Sequence, residues 1–333
     1  MQTSNIPQWD KRRAPYFEVW YWKLNTGPGG PALWIRLSIL SSKDKKKSVA
    51  EAVGVYFKPN GRRYSHVAIK ETHTIEKYSW GDDEVRVGEC FWMDGLTAGR
   101  IGLKDGSDGS NSEIRWDLSF EPNRNGFDHV PSVLKTFGLN ATSLLTTNPD
   151  LKFRGRFWVN GSEHVCQGAH GMQGHLFGKK SADRWAWAHC NLADDGTPFV
   201  FEAITARVRI GGIFSSSPLS IFFFEYEGKR YCLNSLREAF EITSHYTLDG
   251  WDFIAEKEGL RFEGHISTHI PDFVGVRLTE TDGSRLFCHN SKVSNLRLQI
   301  FKGSKLLKEI RATHACAFEC VSAEADPRVK ILL

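Results

Sequence analysis

Gly174-His-Leu-Phe-Gly178 and, after a short polar loop, Arg184-Trp-Ala-Trp-Ala-His-Cys-Asn191 decide how this chain is read. Taken as a strand with a period of two, the second stretch puts Trp185, Trp187, His189 and Asn191 on one face. The other face carries Ala186, Ala188, Cys190 and Leu192, all small or apolar. Neither face suits bulk water, so the strand belongs in the wall of a packed β-structure. Two indoles, an imidazole and an amide in a row form flat apolar surface ending in a titratable group, the usual lining of a site for a greasy small molecule.

Outward from that strand the same patterning continues. Segments 16–24, 32–40, 48–58, 64–70, 84–92, 113–120 and 151–159 are rich in β-branched and aromatic residues, as are 199–210, 220–226, 260–266, 273–279, 295–301 and 308–321 in the second half. Turn chemistry separates them: Thr26-Gly-Pro-Gly-Gly30, Pro59-Asn-Gly61, Lys104-Asp-Gly-Ser-Asp-Gly109 and, sharpest of all, Asn160-Gly161. Only 130–139 and 235–240 read as short helices. Many short strands without helical crossovers predict an all-β protein of antiparallel sheets closed into barrels or stacked as sandwiches. A weak internal echo, Glu18-Val-Trp20-Tyr-Trp22 against Asp183-Arg-Trp185-Ala-Trp187, places an acid two positions before a Trp-x-Trp pair in each half. It predicts two similar domains, 1–178 and 179–333, with the Gly-rich passage Gly168 to Gly174 closing the first and leading into the second.

Composition narrows the function. With 43 Lys and Arg against 39 Asp and Glu, the net charge of +4 is too small to recruit nucleic acid. The run Lys43-Asp-Lys-Lys-Lys47 has no interleaved aromatics and reads as a solvated hairpin tip. Seven cysteines without a Cys-x-x-Cys pair argue against a disulfide framework and a structural zinc site. Cys316 and Cys320 would lie about 13 Å apart along a strand, too far to bridge, and Cys190 and Cys288 read as inert core thiols. A reducing, cytoplasmic location is the expectation. No export signal and no transmembrane segment is read, so the sequons at Asn140 and Asn160 are taken as turns. His164, His170 and His175 match no metal-ligand spacing, and no nucleophile elbow, Walker loop or dinucleotide fingerprint occurs. Neither a metal nor an organic cofactor is expected.

Phe17-Glu-Val-Trp-Tyr-Trp-Lys-Leu24, Arg115-Trp-Asp-Leu-Ser-Phe120 and the passage from Gly178 to Asn191, followed by Asp194-Asp-Gly196, resemble the tandem lipocalin-like family of tocopherol cyclase, carotenoid 1,2-hydratase (hydroxyneurosporene synthase) and related Diels–Alderases. The resemblance covers roughly residues 16 to 210. It implies two lipocalin-like antiparallel β-barrel domains packed side by side. Family members carry a polar run ending in Trp-Gly before the tryptophan strand. Here His175 keeps its position, while Gly174 stands for the acid, Leu176 for the amide and Phe177 for the Trp.

The implied activity is cyclisation, hydration or isomerisation of an isoprenoid- or polyketide-like molecule, in a pocket at the domain junction. Such chemistry needs shape and one acid: a placed general acid contributes about 10²–10⁴-fold, and each aromatic face about 0.5–2 kcal/mol toward developing cationic charge. His175 carries over from the family by position. Spacing adds His189 and Glu202 as catalytic candidates, Glu202 being the nearest acid that could orient His189. Trp20, Trp22, Trp34, Trp185, Trp187, Asn191, Phe177 and His170 are candidate ligand contacts. Two plainer readings stay open: the tryptophans fill the interior of the sheets, and His189 is a core histidine satisfied by a backbone carbonyl. A non-catalytic binder or carrier of a lipophilic metabolite is the alternative function.

Overall fold

A computed structural model describes residues 5–44, 48–81, 84–103, 112–123, 125–136, 140–207, 209–210 and 214–333. Residues 45–47 of the lysine run, the turn at 104–109 and the end of the 130–139 helix lie outside the described residues. The structure is all-β, in two halves, each built on one large antiparallel sheet of 12 and 10 strands respectively.

The two sheets open and close in the same way. In the first, Tyr16–Asn25 lies between Ala32–Ser41, the next strand in the chain, and Ser162–Gly178, the last of its half. In the second, Arg184–Cys190 lies between Phe199–Arg207 and the final long strand Lys305–Ser322. Each half is therefore a meander whose end returns to its beginning. The expected closure into barrels is not found among the described residues. The ladder order of the first sheet ends on Arg63–Thr74 and Tyr78–Gly81, and that of the second on Lys229–Leu233 and Thr243–Tyr246. The first sheet nevertheless curls on itself. The Gly102 amide donates to Glu71 at 2.8 Å, and Gly54 leaves the room in which Ile35, Ile101 and Ile114 meet.

The turn chemistry holds at its sharpest point: Asn160 and Gly161, both at positive φ, join Thr142–Val159 to Ser162–Gly178. The Gly-rich passage is continuous strand, the last of the first sheet. Gly168 sits at positive φ, and Gly171 and Gly174 serve close approach. A Cβ on Gly171 would strike the Lys23 carbonyl, and one on Gly174 the Tyr21 ring. The short helices are Ser132–Thr136 and Leu236–Glu241, the latter held by a capping box between Ser235 and Glu238.

Each half has its own core. Trp20, Trp22, Trp92, Trp116, Phe153 and Phe157 fill the first. Phe201, Phe222, Phe224, Trp251, Phe253 and Phe262 fill the second, where Phe224 and Phe262 stack at 4.1 Å. A third apolar layer joins the halves, packing Trp34, Val53, Val55 and Phe57 of the first against Val274, Val276, Val293 and Val321 of the second.

Candidate functional site

The tryptophan strand turns its two faces as the alternation requires. Ala186, Ala188, Cys190 and Leu192 face the second-half core. Trp187 faces the first half, packing with Met172 and Ala317 and meeting Tyr21 edge-on at 5.9 Å. Around this cluster Tyr21, Leu144, Trp185 and Ile204 remain partly exposed.

Behind them lies a fully buried polar row. Glu202 stands directly across the ladder from His189. Its Oε1 accepts from Thr146 Oγ1 at 2.6 Å and from the Trp187 indole at 2.9 Å, with the His129 imidazole 3.3 Å away. Burial raises the Glu202 carboxyl, but His129, His189 and the Thr146 hydroxyl outweigh it and hold the group below its ordinary value, ionised. Glu202 does not orient His189. The His189 Nε2 lies 2.8 Å from the Pro149 carbonyl, which can only accept, so this nitrogen carries the proton. Burial, with Lys23 and Lys292 nearby, pushes His189 down to about 3 against the pull of Glu202. The ring is neutral, and its Nδ1 is a buried lone pair without a protein partner. Glu202 Oε2, Asn191 Oδ1, Asn290 Nδ2 and Ser294 Oγ are unpartnered as well. A buried polar atom left unpaired costs about 1–3 kcal/mol, so each of these atoms lacks the compensation that most buried polar groups have.

His175 belongs elsewhere. It shares an inward face with Trp20, on which it stacks at 4.9 Å, and with Phe177 at 4.9 Å. Its Nε2 donates to Glu18 at 2.8 Å. The predicted catalytic set is thus divided: His189 and Glu202 lie at the junction, while His175 lies inside the first half with Glu18. Glu18 is a residue the spacing argument missed as a partner, although it is the acid of the internal echo. His129, also missed, sits outside every motif in the sequence. Tyr21 is the third. Its ring covers Gly174, where a Cβ would strike it, and crowding by protein atoms, with Glu202 and Glu319, keeps its hydroxyl protonated well above the ordinary range.

The remaining predicted contacts scatter. Trp22 is core, against Trp116 and Phe153. Trp34 and Trp187 both lie under the Lys292 ammonium, at 5.2 and 5.3 Å, so the faces expected to receive a substrate cation already hold one. His170 bonds the Asn191 carbonyl at 2.7 Å, and the Asn191 amide bonds Asp150 at 2.6 Å and the Gly171 carbonyl at 2.9 Å. His164 turns to the Tyr56 hydroxyl at 3.1 Å. Among the described residues no group of three or more His, Cys, Asp or Glu is placed to hold a metal ion, and no helix is long and apolar enough to cross a membrane. Two surface concavities, of about 300 and 210 Å³, are lined by residues such as His245 and Asp252 or Arg154 and Trp158, and touch none of the predicted site residues.

Comparison with known proteins supports the fold. No family model matches the chain. Over 196 residues, 58% of its length, the chain is 24% identical to an uncharacterized protein of Mycobacterium tuberculosis, and it covers 57% of that relative. Among solved structures, an AttH-like protein from Nitrosomonas europaea superposes with a TM-score of 0.58 at 10% identity, covering 93% of both chains. CghA, crystallised with Sch210972, gives 0.55 at 10% identity over 93% of this chain and 90% of that one. Kievitone hydratase from Nectria haematococca gives 0.51 at 11% identity over 92% and 88%. The chain has the two-sheet, tandem lipocalin-like architecture of these proteins.

Proposed function

We propose that the protein is a cofactor-independent catalyst that cyclises, hydrates or isomerises a hydrophobic isoprenoid- or polyketide-like molecule at the junction between its halves. The observation that carries this reading is the His189 Nδ1 lone pair, neutral, buried and without a protein partner. So placed, the neutral ring accepts a hydrogen bond from a substrate held against Tyr21, Leu144, Trp185 and Ile204 and orients it for reaction. Tyr21 supplies a neutral hydroxyl donor where the family has an acid. That two proteins of the same fold are named for, or crystallised with, small organic molecules is consistent with such a substrate.

One observation favours the carrier reading: Lys292 already covers the aromatic faces of Trp34 and Trp187. One experiment separates the two. The hydrophobic molecule that co-purifies with the protein is identified by mass spectrometry and offered, with its precursors, to the native chain and to His189→Gln. Conversion by the native chain, reduced about 10²–10⁴-fold in the variant, supports catalysis. Recovery of every compound unaltered from the native chain establishes a carrier.

A further inference from the structure

The interior of the first half holds a second set of groups that the junction chemistry does not use. Glu18 is fully buried beside His175, Trp20 and Tyr78, and its donors come from an unexpected source. Residues 5–15 form no strand or helix. Within them the Gln8 amide donates to Glu18 Oε1 at 2.7 Å and the Trp9 amide to Oε2 at 2.9 Å. The Asn5 carbonyl accepts from the Trp20 indole at 3.1 Å, and its side-chain oxygen from Gln173 at 2.6 Å. The Trp9 ring packs 5.9 Å from Tyr78, which in turn stacks on Trp20 at 6.2 Å. The Tyr78 hydroxyl is buried without a partner. The segment thus meets this interior with two N–H donors and one flat ring, and no ladder bonds tie it to a sheet.

We propose that residues 5–9 are a displaceable occupant of a second binding chamber. Its ligand is a planar, largely apolar molecule carrying N–H or O–H donors, such as an aryl amine or a phenol. The donors replace the Gln8 and Trp9 amides at the Glu18 carboxylate, and the ring replaces the Trp9 indole against Tyr78. Segments outside the sheet ladders open locally at less than the global stability, so the strap competes with the ligand and sets its apparent affinity.

The probe is N-phenyl-1-naphthylamine, an apolar fluorophore with one N–H donor, titrated into the full chain, a variant lacking residues 1–9, and Trp9→Ala. Binding at least tenfold tighter in the variants, reversed by a synthetic peptide of residues 5–13, supports the proposal. Affinity within twofold of the full chain in a variant that keeps its native circular dichroism overturns it, as does tight binding that the peptide leaves unchanged. Hydrogen exchange on the full chain decides independently should neither variant fold. Gln8 and Trp9 amides exchanging at least 100-fold faster than those of Tyr16–Asn25 support a strap, and equal protection overturns it.

Discussion

Glu18 and Glu202 are both fully buried carboxylates beside imidazoles, yet their surroundings differ in kind. Glu18 accepts from the Gln8 and Trp9 amides and from His175, with both oxygens engaged. Glu202 gathers its donors on one oxygen and leaves the other without a protein partner, next to an equally unpartnered imidazole nitrogen. The same pair of residue types makes a closed arrangement in one half and an open one at the junction. Hydrogen-bond accounting, rather than residue identity, separates the two.

The sharpest test of that contrast is truncation. Glu18→Ala strands three buried donors and is expected to cost upward of about 3 kcal/mol, since each buried group left unpaired costs about 1–3 kcal/mol. Glu202→Ala removes a carboxylate with only one oxygen satisfied and is expected to cost about 1–3 kcal/mol. Urea unfolding of both variants measures the gap, and equal losses would erase the distinction between closed and open.

A second test concerns the junction itself. Gly174→Asp introduces a carboxyl beside the junction, but its Cβ falls on the Tyr21 ring. A loss of about 1–3 kcal/mol is expected from overpacking, and adding Tyr21→Ala should recover most of it. Failure of the second change to rescue would mean that Tyr21 does not fill the vacated position.

The pH dependence offers an effect with a definite sign. His189 sits at about 3 when folded, against about 6.5 for an unperturbed histidine. Between those values the unfolded chain binds the extra proton and the folded chain does not. His189 therefore contributes a loss of stability as pH falls below about 6.5, near 1.4 kcal/mol per pH unit until the folded value is reached. His189→Gln should remove that slope from a stability profile measured between pH 6.5 and 4, and superimposable profiles would show that the ring is protonated in the fold. The smallest effect belongs to Trp185→Ala. Its indole is only partly buried at the junction, so a loss of no more than about 1 kcal/mol is expected, with a larger fall in affinity for the co-purifying ligand.

Period-two reading was enough to give the two faces of Arg184–Cys190 and the Glu202 position opposite His189, because both follow from local alternation and one hairpin. It was not enough for His129 with Glu202 or Glu18 with His175, which are joined only by pairing across long stretches of chain. The run from Gly168 to Gly174 was only partly legible, for a different reason. Glycine marks turns in most contexts, but here it marks places where Tyr21 and Phe153 lie flat on a strand, and only the neighbours reveal which. The open ends of the two sheets are equally invisible to patterning, since alternation describes a wall and not whether the wall meets itself.

Ser162–Gly178 is a partition one residue thick between the interior of the first half and the junction. Gln173, His175 and Phe177 furnish one side, Met172 and Gly174 the other, so consecutive codons serve separate rooms. Gain or loss of a single residue in that stretch would exchange both inventories at once, delivering the imidazole to the junction and the bare glycine to the interior. Point substitutions can thus retune either room alone, whereas a change of length by one cannot spare either.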